Sequence, residues 1–318
     1  MKLIKVGTRG SRLAIAQTQI ILDQLSKFYP DVKYEIVKIV TSGDLDKQHP
    51  LFSMDRKGIF EKELDESVLN NKVDFAIHSI KDVPTNIHTN LTISTIPKRE
   101  SIKDVLISKK KMKLNNLPQG SVVGTSSLRR AIQLVLLRKD LKVKPIRGNI
   151  DTRIEKISKG EYDAIILAEA GLKRLAKTDV VSQVLGLNEF LPAPGQGALA
   201  IVCKKTNKNL IKFLSVLEHE PSRKSIEVER MFISKIGGGC RFPIGAYAIS
   251  SKQNNNIKFF AKVFSADGST QLFFNFDGKY NSPKSLGTRA AKYFVKKGAI
   301  KLAQGWDQAV IEWNKKVN

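Results

Sequence analysis

A cysteine on a glycine-rich loop is the clearest candidate nucleophile in the sequence. Cys240 lies in GGGCRFPIGAYA (237–248), directly after three glycines and before Arg241. Glycine permits unusual backbone dihedrals and close approach of another group, and a neighbouring cation favours the nucleophilic thiolate. The alternative is a small buried packing residue, a common role of free cysteine. The other cysteine, Cys203, lies in the apolar run ALAIVCKK and is predicted to be core.

An aspartate follows the apolar strand pattern DFAI and is the candidate acid. Asp82 lies in HSIKDVP (78–84), beside Lys81, and Pro84 disfavours a regular helix there. Loops at strand ends often carry reactive residues, so Asp82 could accept a hydrogen bond from a ligand N–H and stabilise a developing cation. The alternative is a turn aspartate that binds its own backbone.

Arginines accompany three predicted strand-to-helix turns. The segments are GTRGSRLA (7–14), GTSSLRRA (124–131) and RGNIDTR (147–153). Ser11 begins the first helix, Ser126 or Ser127 can cap the second, and Asn149 or Asp151 can cap the third. Arginine is unexpected at these places, because a cation at a helix N-terminus costs roughly 0.3–1 kcal/mol.

Bound anions would explain this recurrence, because guanidinium groups match carboxylates and phosphates and helix N-termini bind anions. Ordinary caps with solvated arginines are the alternative. In open α/β folds, ligands bind at the carboxyl ends of the strands, where all three turns are predicted to lie. The residues alone therefore indicate an arginine-lined cleft for a ligand with several negative groups, and phosphates, nucleic acid and polycarboxylates all remain open.

The elements that position these residues alternate between strand and helix patterns. LIKVG, YEIVKIV, DFAIHS and LTISTI are predicted strands, with helices over 12–27 and 59–69. A second series has DVLIS, SVVGT, KVKPIR and DAIILA, with helices over 127–138, 151–159 and from 169. This alternation predicts two α/β units with parallel strand pairs. After residue 220, a helix over 221–236 precedes three β-like runs, which predicts a small α+β domain.

Composition is that of a folded protein, with 42% hydrophobic and 26% charged residues in 318. Lysine and arginine number 54 against 30 acidic residues, a net charge of +24 that favours anionic partners. Two distant cysteines and four histidines predict no metal site and no disulfide framework. The first residues, MKLIKVGTRG, are predicted to form a strand rather than a secretory signal, and no apolar run spans a bilayer, so a cytoplasmic protein without a membrane segment is expected.

The motifs together resemble the hydroxymethylbilane synthase (porphobilinogen deaminase) family over nearly the whole chain. They occur in the family's order: GTRGSRLA, KGIFEKEL, HSIKDVP, GTSSLRR, RGNIDTR, DAIILAEAGLKRL, PAPGQGA and GGGCRFPIGAYA. The resemblance implies two periplasmic-binding-protein-like (type II) α/β domains with a hinge, and a small α+β domain with a three-stranded antiparallel sheet. It implies domain 1 at 1–97 and 192–218, domain 2 at 98–191 and domain 3 at 219–318.

The resemblance also implies a transferase of tetrapyrrole and haem biosynthesis. In this family, four porphobilinogen molecules are added, each losing ammonia, to a dipyrromethane cofactor held by a thioether to the cysteine that matches Cys240. Hydrolysis then frees the linear tetrapyrrole hydroxymethylbilane. Asp82 matches the family's catalytic aspartate, which binds pyrrole N–H groups and helps to move protons. A monomer is expected.

The resemblance further assigns the binding residues. The side-chain clamps for the acetate and propionate groups match Arg9, Arg129, Arg130, Arg147 and Arg153. The accessory contacts match Ser11, Ser79, Lys81, Thr125, Ser126, Ser127 and Arg174. The lid loop matches Lys57 and Phe60.

Two other function classes compete with this interpretation. A non-catalytic two-lobed polyanion-binding protein would use the arginines but give no role to Asp82 or Cys240. A nucleic-acid binder would use the net charge of +24, but aromatic residues make up only 7% and do not alternate with basic ones as stacking sites require. We therefore expect porphobilinogen as the partner and no nucleic acid.

Overall fold

The computed structural model describes residues 3–41, 61–236 and 243–315. The strands, in chain order, are β1 (Leu3–Arg9), β2 (Lys33–Ile39), β3 (Phe75–Ser79), β4 (Leu91–Thr95), β5 (Asp104–Ser108), β6 (Val122–Gly124), β7 (Lys142–Lys144), β8 (Ala164–Ala168), β9 (Gln183–Val184), β10 (Leu199–Lys204), β11 (Ile244–Ser251), β12 (Asn256–Phe264) and β13 (Gln271–Lys279). The α-helices within the described ranges are α1 (Arg12–Phe28), α2 (Lys62–Leu69), α3 (Leu128–Leu137), α4 (Ile150–Ser158), α5 (Glu169–Arg174), α6 (Lys208–Leu214), α7 (Glu220–Ile236), α8 (Pro283–Lys296), α9 (Ala299–Leu302) and α10 (Trp306–Lys315).

Contacts between Cα atoms divide the chain into two units. Unit 1 comprises Met1–Glu100 and Ala198–Lys224, and unit 2 comprises Ser101–Gly197 and Ser225–Asn318. The predicted three-domain division, with its boundaries at 97, 191 and 218, stays a prediction.

Unit 1 is built on a five-stranded sheet with the order β2-β1-β3-β10-β4. β1 runs parallel to both β2 and β3, whereas β10 is antiparallel to its neighbours β3 and β4. The core on this sheet contains Val6, Leu25, Phe75, Ile201 and Cys203, all fully buried or nearly so. Burial on both faces explains why β3 and β10 read as continuous apolar runs rather than alternating ones, and it confirms the prediction that Cys203 is core.

Unit 2 contains a second five-stranded sheet, with the order β7-β6-β8-β5-β9. β6 is parallel to β7 and β8, and β5 is antiparallel to β8 and β9. Successive residues of β8 point to opposite faces, as the two-residue strand period requires. Ala164 and Ile166 pack in one core, and Ile165 and Leu167 pack in another.

Unit 2 also contains the three-stranded antiparallel sheet β11-β12-β13. Its core joins Phe232 of α7, Phe259 of β12 and Phe294 of α8, whose rings meet edge to face. α8 lies close to α7 at Gly287, where an added Cβ would come within 2.6 Å of the Val228 carbonyl oxygen. Only glycine permits that close helix packing.

These sheets confirm the α/β architecture of the predicted fold class: two five-stranded sheets of matching order and a small α+β part with three antiparallel strands. Most predicted elements are present, with ends shifted by one or two residues. KVKPIR differs, because β7 ends at Lys144. Pro145 has no N–H to continue the ladder, so the expectation that Arg147 ends a strand is wrong.

Candidate active site

The end of β3 carries the candidate acid of unit 1. Residues Ile80–Asp82 form one 3-10 turn directly after β3, closed by the Val83 N–H donating to the Ile80 carbonyl at 3.2 Å. β1 is the parallel neighbour of β3, so Arg9 and Ser79, their last residues, lie at the same carboxyl edge of the sheet. The fold thus brings Arg9, Ser79 and Asp82 to the sheet edge where open α/β folds bind ligands.

The start of α1 adds a serine to this edge. Ser11 is the N-cap, and its hydroxyl oxygen accepts a hydrogen bond from the Ala14 N–H at 3.2 Å, as predicted. One turn further along, the Gln17 side chain donates from Nε2 to Ser79 Oγ at 3.2 Å. Because Gln17 is buried, its amide orients the Ser79 hydroxyl from the protein interior.

A cavity of about 90 Å³ opens between these elements. It combines cationic, hydroxyl, carboxyl and imidazole side chains, and its lining is Arg9, Ser11, Leu13, Ala14, Gln17, Glu61, Leu64, Ile77, His78, Ser79 and Asp82. Asp82 is exposed to solvent, whereas Gln17, Glu61 and His78 are buried. The cavity therefore has a polar interior below an exposed carboxylate.

Glu61 was not identified from the sequence. It immediately precedes α2, only 5% of its surface is exposed, and no hydrogen-bond partner reaches its Oε2 among the described residues. Burial, followed by the charge of Asp82, raises the pKa of Glu61 to about 8. The sequence signal was weak, because FEKEL reads as an ordinary acidic first turn of a helix.

The buried imidazole of His78 lies close to the half-buried carboxyl group of Asp65. His78 Nε2 lies 3.7 Å from Asp65 Oδ1, which is too long for a hydrogen bond. Burial lowers the pKa of His78 to about 4, with a further contribution from the charge of Arg9, and burial raises the pKa of Asp65 to about 6. Near neutral pH the imidazole is therefore uncharged, and the pair is not a salt bridge.

In unit 2, two of the predicted clamp arginines converge on one aspartate. Asp104, the first residue of β5, accepts from Arg129 Nη2 at 3.1 Å and from Arg130 Nη2 at 2.6 Å. Arg129 also donates to the Leu191 carbonyl. Gln196 completes the cluster by donating from Nε2 to Asp104 Oδ1 at 2.9 Å.

All side chains of this cluster are buried, so their charges strongly affect one another's pKa values. Burial raises the pKa of Asp104, but the charges of Arg130 and Arg129 outweigh it, so the pKa lies below its usual value. Burial and the neighbouring Arg130 lower the pKa of Arg129 to about 10, with Asp104 opposing them. Asp104 thus supplies the anion that the cations at the start of α3 require, and one positive charge remains uncompensated within the trio.

The hydroxyls before α3 are used differently from the prediction. Ser127 is the N-cap residue, but its side chain makes no capping hydrogen bond, and Ser126 donates instead to the Ile146 carbonyl. The buried Thr125 hydroxyl accepts from the Ser127 N–H at 3.2 Å. The expectation that a serine side chain caps this helix is therefore wrong, because Ser127 makes no capping bond and the Ser126 hydroxyl donates to a carbonyl 20 residues further along the chain.

The third arginine turn is closed by its own backbone. Asn149 caps α4 by accepting from the Thr152 N–H at 2.9 Å, which selects it over Asp151. Arg153 Nε donates to the Gly148 carbonyl at 2.7 Å. Gly148 has φ +107°, a conformation that L side chains rarely adopt. Burial, then the charge of Arg130, lowers the pKa of Arg153 to about 10.

The remaining predicted residues are dispersed. Half-buried Arg147 lies between β7 and α4, and Arg174 at the end of α5 donates from Nη2 to the Gly197 carbonyl at 2.6 Å. Lys81 lies in the turn with Asp82. Cys240, Lys57 and Phe60 lie outside the described residues.

The structure thus brings the predicted residues into two groups. Arg9, Ser11, Ser79 and Asp82 share the cavity of unit 1, and Arg129 and Arg130 share Asp104 in unit 2. Sequence reasoning missed Asp104 and Gln196, which hold the two arginines. A charged residue at the head of the apolar strand DVLIS was the available signal for Asp104, because buried charges are rarely tolerated without a partner.

The sequence predicted neither a metal site nor a membrane-spanning segment. Within the described ranges, no cluster of His, Cys, Asp and Glu side chains suits a metal ion. None of the described helices is long and apolar enough to cross a bilayer.

Comparison with known families covers nearly the whole chain. Residues 4–212 match the model of the porphobilinogen deaminase dipyrromethane cofactor-binding domain, and residues 224–296 match that of the porphobilinogen deaminase C-terminal domain.

Individual proteins agree with the family models. A probable porphobilinogen deaminase of Nitrosopumilus maritimus is 48% identical over 99% of this chain and 100% of its own, and the porphobilinogen deaminase of Bacillus pumilus is 44% identical over 94% and 96%. Among solved structures, a substrate-binding domain of a putative amino acid transporter from Streptococcus pneumoniae is 13% identical with a TM-score of 0.41, over 68% of this chain and 91% of that one. The chain therefore belongs to the porphobilinogen deaminase family and carries its dipyrromethane cofactor-binding domain.

Proposed function

We propose that the chain is a hydroxymethylbilane synthase that condenses four porphobilinogen molecules, with loss of four ammonia molecules, on a dipyrromethane linked to Cys240. Hydrolysis then releases the linear tetrapyrrole. The observation that carries this proposal is the cavity of unit 1, which combines the acceptor Asp82 with the donors Arg9, Ser11 and Ser79. A chain that only bound polyanions would have no use for an exposed carboxylate among these donors, because it repels the ligand.

The donor set fits a pyrrole with acidic side chains. Each ring offers one N–H donor and two carboxylates, so a site needs one acceptor and several donors. Asp82 is the acceptor, while Arg9, Ser11 and Ser79 are donors at the same sheet edge. When bound, the dipyrromethane supplies the pyrrole carbon that forms the first new carbon–carbon bond.

Asp82 accepts hydrogen bonds from pyrrole N–H groups and keeps a negative charge beside the nitrogen on which positive charge develops. A fixed carboxylate in this place lowers the barrier electrostatically, and it exchanges protons with the pyrrole nitrogen. Its position in a 3-10 turn, fixed by β3 on one side and Pro84 on the other, holds the carboxylate at the mouth of the cavity.

The arginines bind the acidic side chains of the substrate and of the growing chain. Arg9 lines the cavity that contains Asp82. Arg129 and Arg130 carry two positive charges against the single negative charge of Asp104, so one net positive charge remains. The proposed clamps also include Arg147, between β7 and α4, and Arg153, in the first turn of α4. Accessory contacts come from Arg174, Thr125, Ser126, Ser127 and Lys81, and Lys57 and Phe60 belong to a lid loop.

We also propose that the protein acts as a cytoplasmic monomer. The free thiol of Cys203 fits a reducing compartment.

Intact-protein mass spectrometry of the full chain tests this proposal. The wild type should carry an adduct of two linked pyrrole units, which Cys240→Ala should lack. Asp82→Asn should keep the fold and reduce turnover by about 10²–10⁴-fold. An unmodified wild-type chain from cells that make porphobilinogen, or near-normal turnover of Asp82→Asn, would contradict the proposal.

A further inference from the structure

Glu61 is a buried carboxyl group with an incomplete set of hydrogen bonds. Only 5% of its surface is exposed, it lines the same cavity as Asp82, and its Oε2 has no partner among the described residues. A buried polar atom without a hydrogen-bond partner destabilises the folded protein. Such an atom in a functional cavity indicates a partner that arrives with the ligand.

The surroundings of Glu61 decide its protonation state. Asp82 follows β3, Asp65 lies on α2, and both add negative charge, whereas Arg9 at the end of β1 adds positive charge and the imidazole of His78 is uncharged. Burial is the largest effect, the charge of Asp82 is the next, and together they raise the pKa of Glu61 to about 8. The carboxyl group is therefore a neutral acid at neutral pH.

A neutral carboxylic acid has one O–H to donate, and that O–H needs an acceptor on the ligand. Porphobilinogen offers a pyrrole N–H and an aminomethyl group that is protonated near neutral pH, and neither accepts. Its acetate and propionate groups are the acceptors. An O–H donating to a carboxylate is a charge-assisted bond, and Arg9 and the serines supply the other donors to the same group.

We propose that Glu61 is a further substrate-binding residue, a neutral carboxylic acid that donates its O–H to a carboxylate of porphobilinogen in the Asp82 cavity. This rests on the proposed function of that cavity. Once Glu61 ionises, it has no O–H to donate and repels the carboxylate, so Glu61 sets an alkaline limit on substrate binding.

The experiment compares KM for porphobilinogen at about pH 7 and about pH 9, using the holoenzyme. From a pKa of about 8, the protonated fraction falls about tenfold between these values, and the wild-type KM should rise accordingly. Glu61→Gln keeps a donor that does not titrate, so its ratio of the two KM values should be lower than the wild-type ratio by about that factor. Substrate ionisation is common to all variants and cancels in this comparison.

Two further variants sharpen the comparison. Glu61→Met keeps the volume without a donor, so its KM should rise by about tenfold even at neutral pH, with the effect on KM rather than kcat. Glu66→Gln makes the same substitution on the exposed side of α2, where Glu66 pairs with Lys62 at 3.8 Å, and it should keep the wild-type ratio. A Glu61→Gln enzyme with the wild-type ratio, or a Glu61→Met enzyme with the wild-type KM, overturns the proposal.

Infrared difference spectroscopy gives a readout that is independent of turnover. The C=O stretch of a protonated acid should disappear between about pH 7 and about pH 9 in the wild type, and Glu61→Gln should lack this change. Asp65, whose pKa is about 6, has lost its proton before this range. A spectrum without this change contradicts the proposal that Glu61 is protonated, even if Asp82→Asn is inactive. An active Asp82→Asn enzyme contradicts the proposed function instead.

Discussion

At the scale of single residues, the arginines at the start of α3 have an internal counter-charge, the buried carboxylate of Asp104. The position of these arginines at a helix start was predictable from the sequence, because charge, capping residues and strand ends are local features. Their partner Asp104 was not, because it lies 25 and 26 residues before Arg129 and Arg130, and the sheet order β6-β8-β5 is what places the start of β5 near the helix that follows β6. The bound anion inferred from the pattern is partly an internal carboxylate.

The Asp104 cluster predicts a large cost for removing its anion. Asp104→Ala leaves two buried guanidinium groups without their carboxylate, and breaking a buried pair in this way costs about 3–5 kcal/mol in the free energy of unfolding. Denaturant unfolding at neutral pH measures this loss. Asp140→Ala removes the partner of Arg138, an ion pair at 2.6 Å near the surface, and should cost much less. Equal losses in the two variants would show that burial does not matter to the Asp104 cluster.

At the scale of elements, the two-residue and 3.6-residue periods gave most strands and helices correctly, because each element buries a defined face. The differences arise where a backbone rule competes with the pattern. Pro145 ends β7 early, and Ser126 donates to the distant Ile146 carbonyl instead of capping α3. Long-range pairings carry no local signal, so the insertion of β10 between β3 and β4 is not derivable from periodicity.

A buried glutamate links two of the sequence motifs within unit 2. The buried carboxylate of Glu229 on α7 accepts from the Gly195 N–H at 2.6 Å and from the Ala248 N–H at 2.8 Å. The Ala246 N–H donates to the Pro192 carbonyl at 2.9 Å. Glu229 therefore fixes PAPGQGA against β11.

The cap of α4 gives a prediction at this scale. Asn149→Ala removes the side-chain oxygen that accepts from the Thr152 N–H and should lower the free energy of unfolding by about 1 kcal/mol. Because Arg153 follows in the first turn and holds the Gly148 carbonyl, fraying of this turn should also weaken substrate binding. Asn149→Asp, which keeps a capping oxygen, should restore stability in the same denaturation assay. A loss of the same size in Asn149→Asp would show that the cap is not the cause.

At the scale of the whole molecule, titration of buried groups links pH to stability. The folded state lowers the pKa of His78 from 6.5 to about 4, so the unfolded state binds its proton first and stability falls as pH decreases through this range. Glu61 and Asp65 act in the opposite direction. Their raised pKa values stabilise the protein at low pH, and this contribution is lost as pH rises to about 8 and about 6, respectively.

The decrease in the free energy of unfolding at acid pH should therefore depend on His78. His78→Gln removes the imidazole that unfolding would protonate, so between about pH 6.5 and about pH 4 it should lose about 3 kcal/mol less stability than the wild type. Because Glu61 and Asp65 are present in both proteins, the difference between their unfolding free energies at each pH isolates His78. His88→Gln, at an exposed site, should follow the wild-type curve. Parallel curves for His78→Gln and the wild type would mean that folding does not change the pKa of His78.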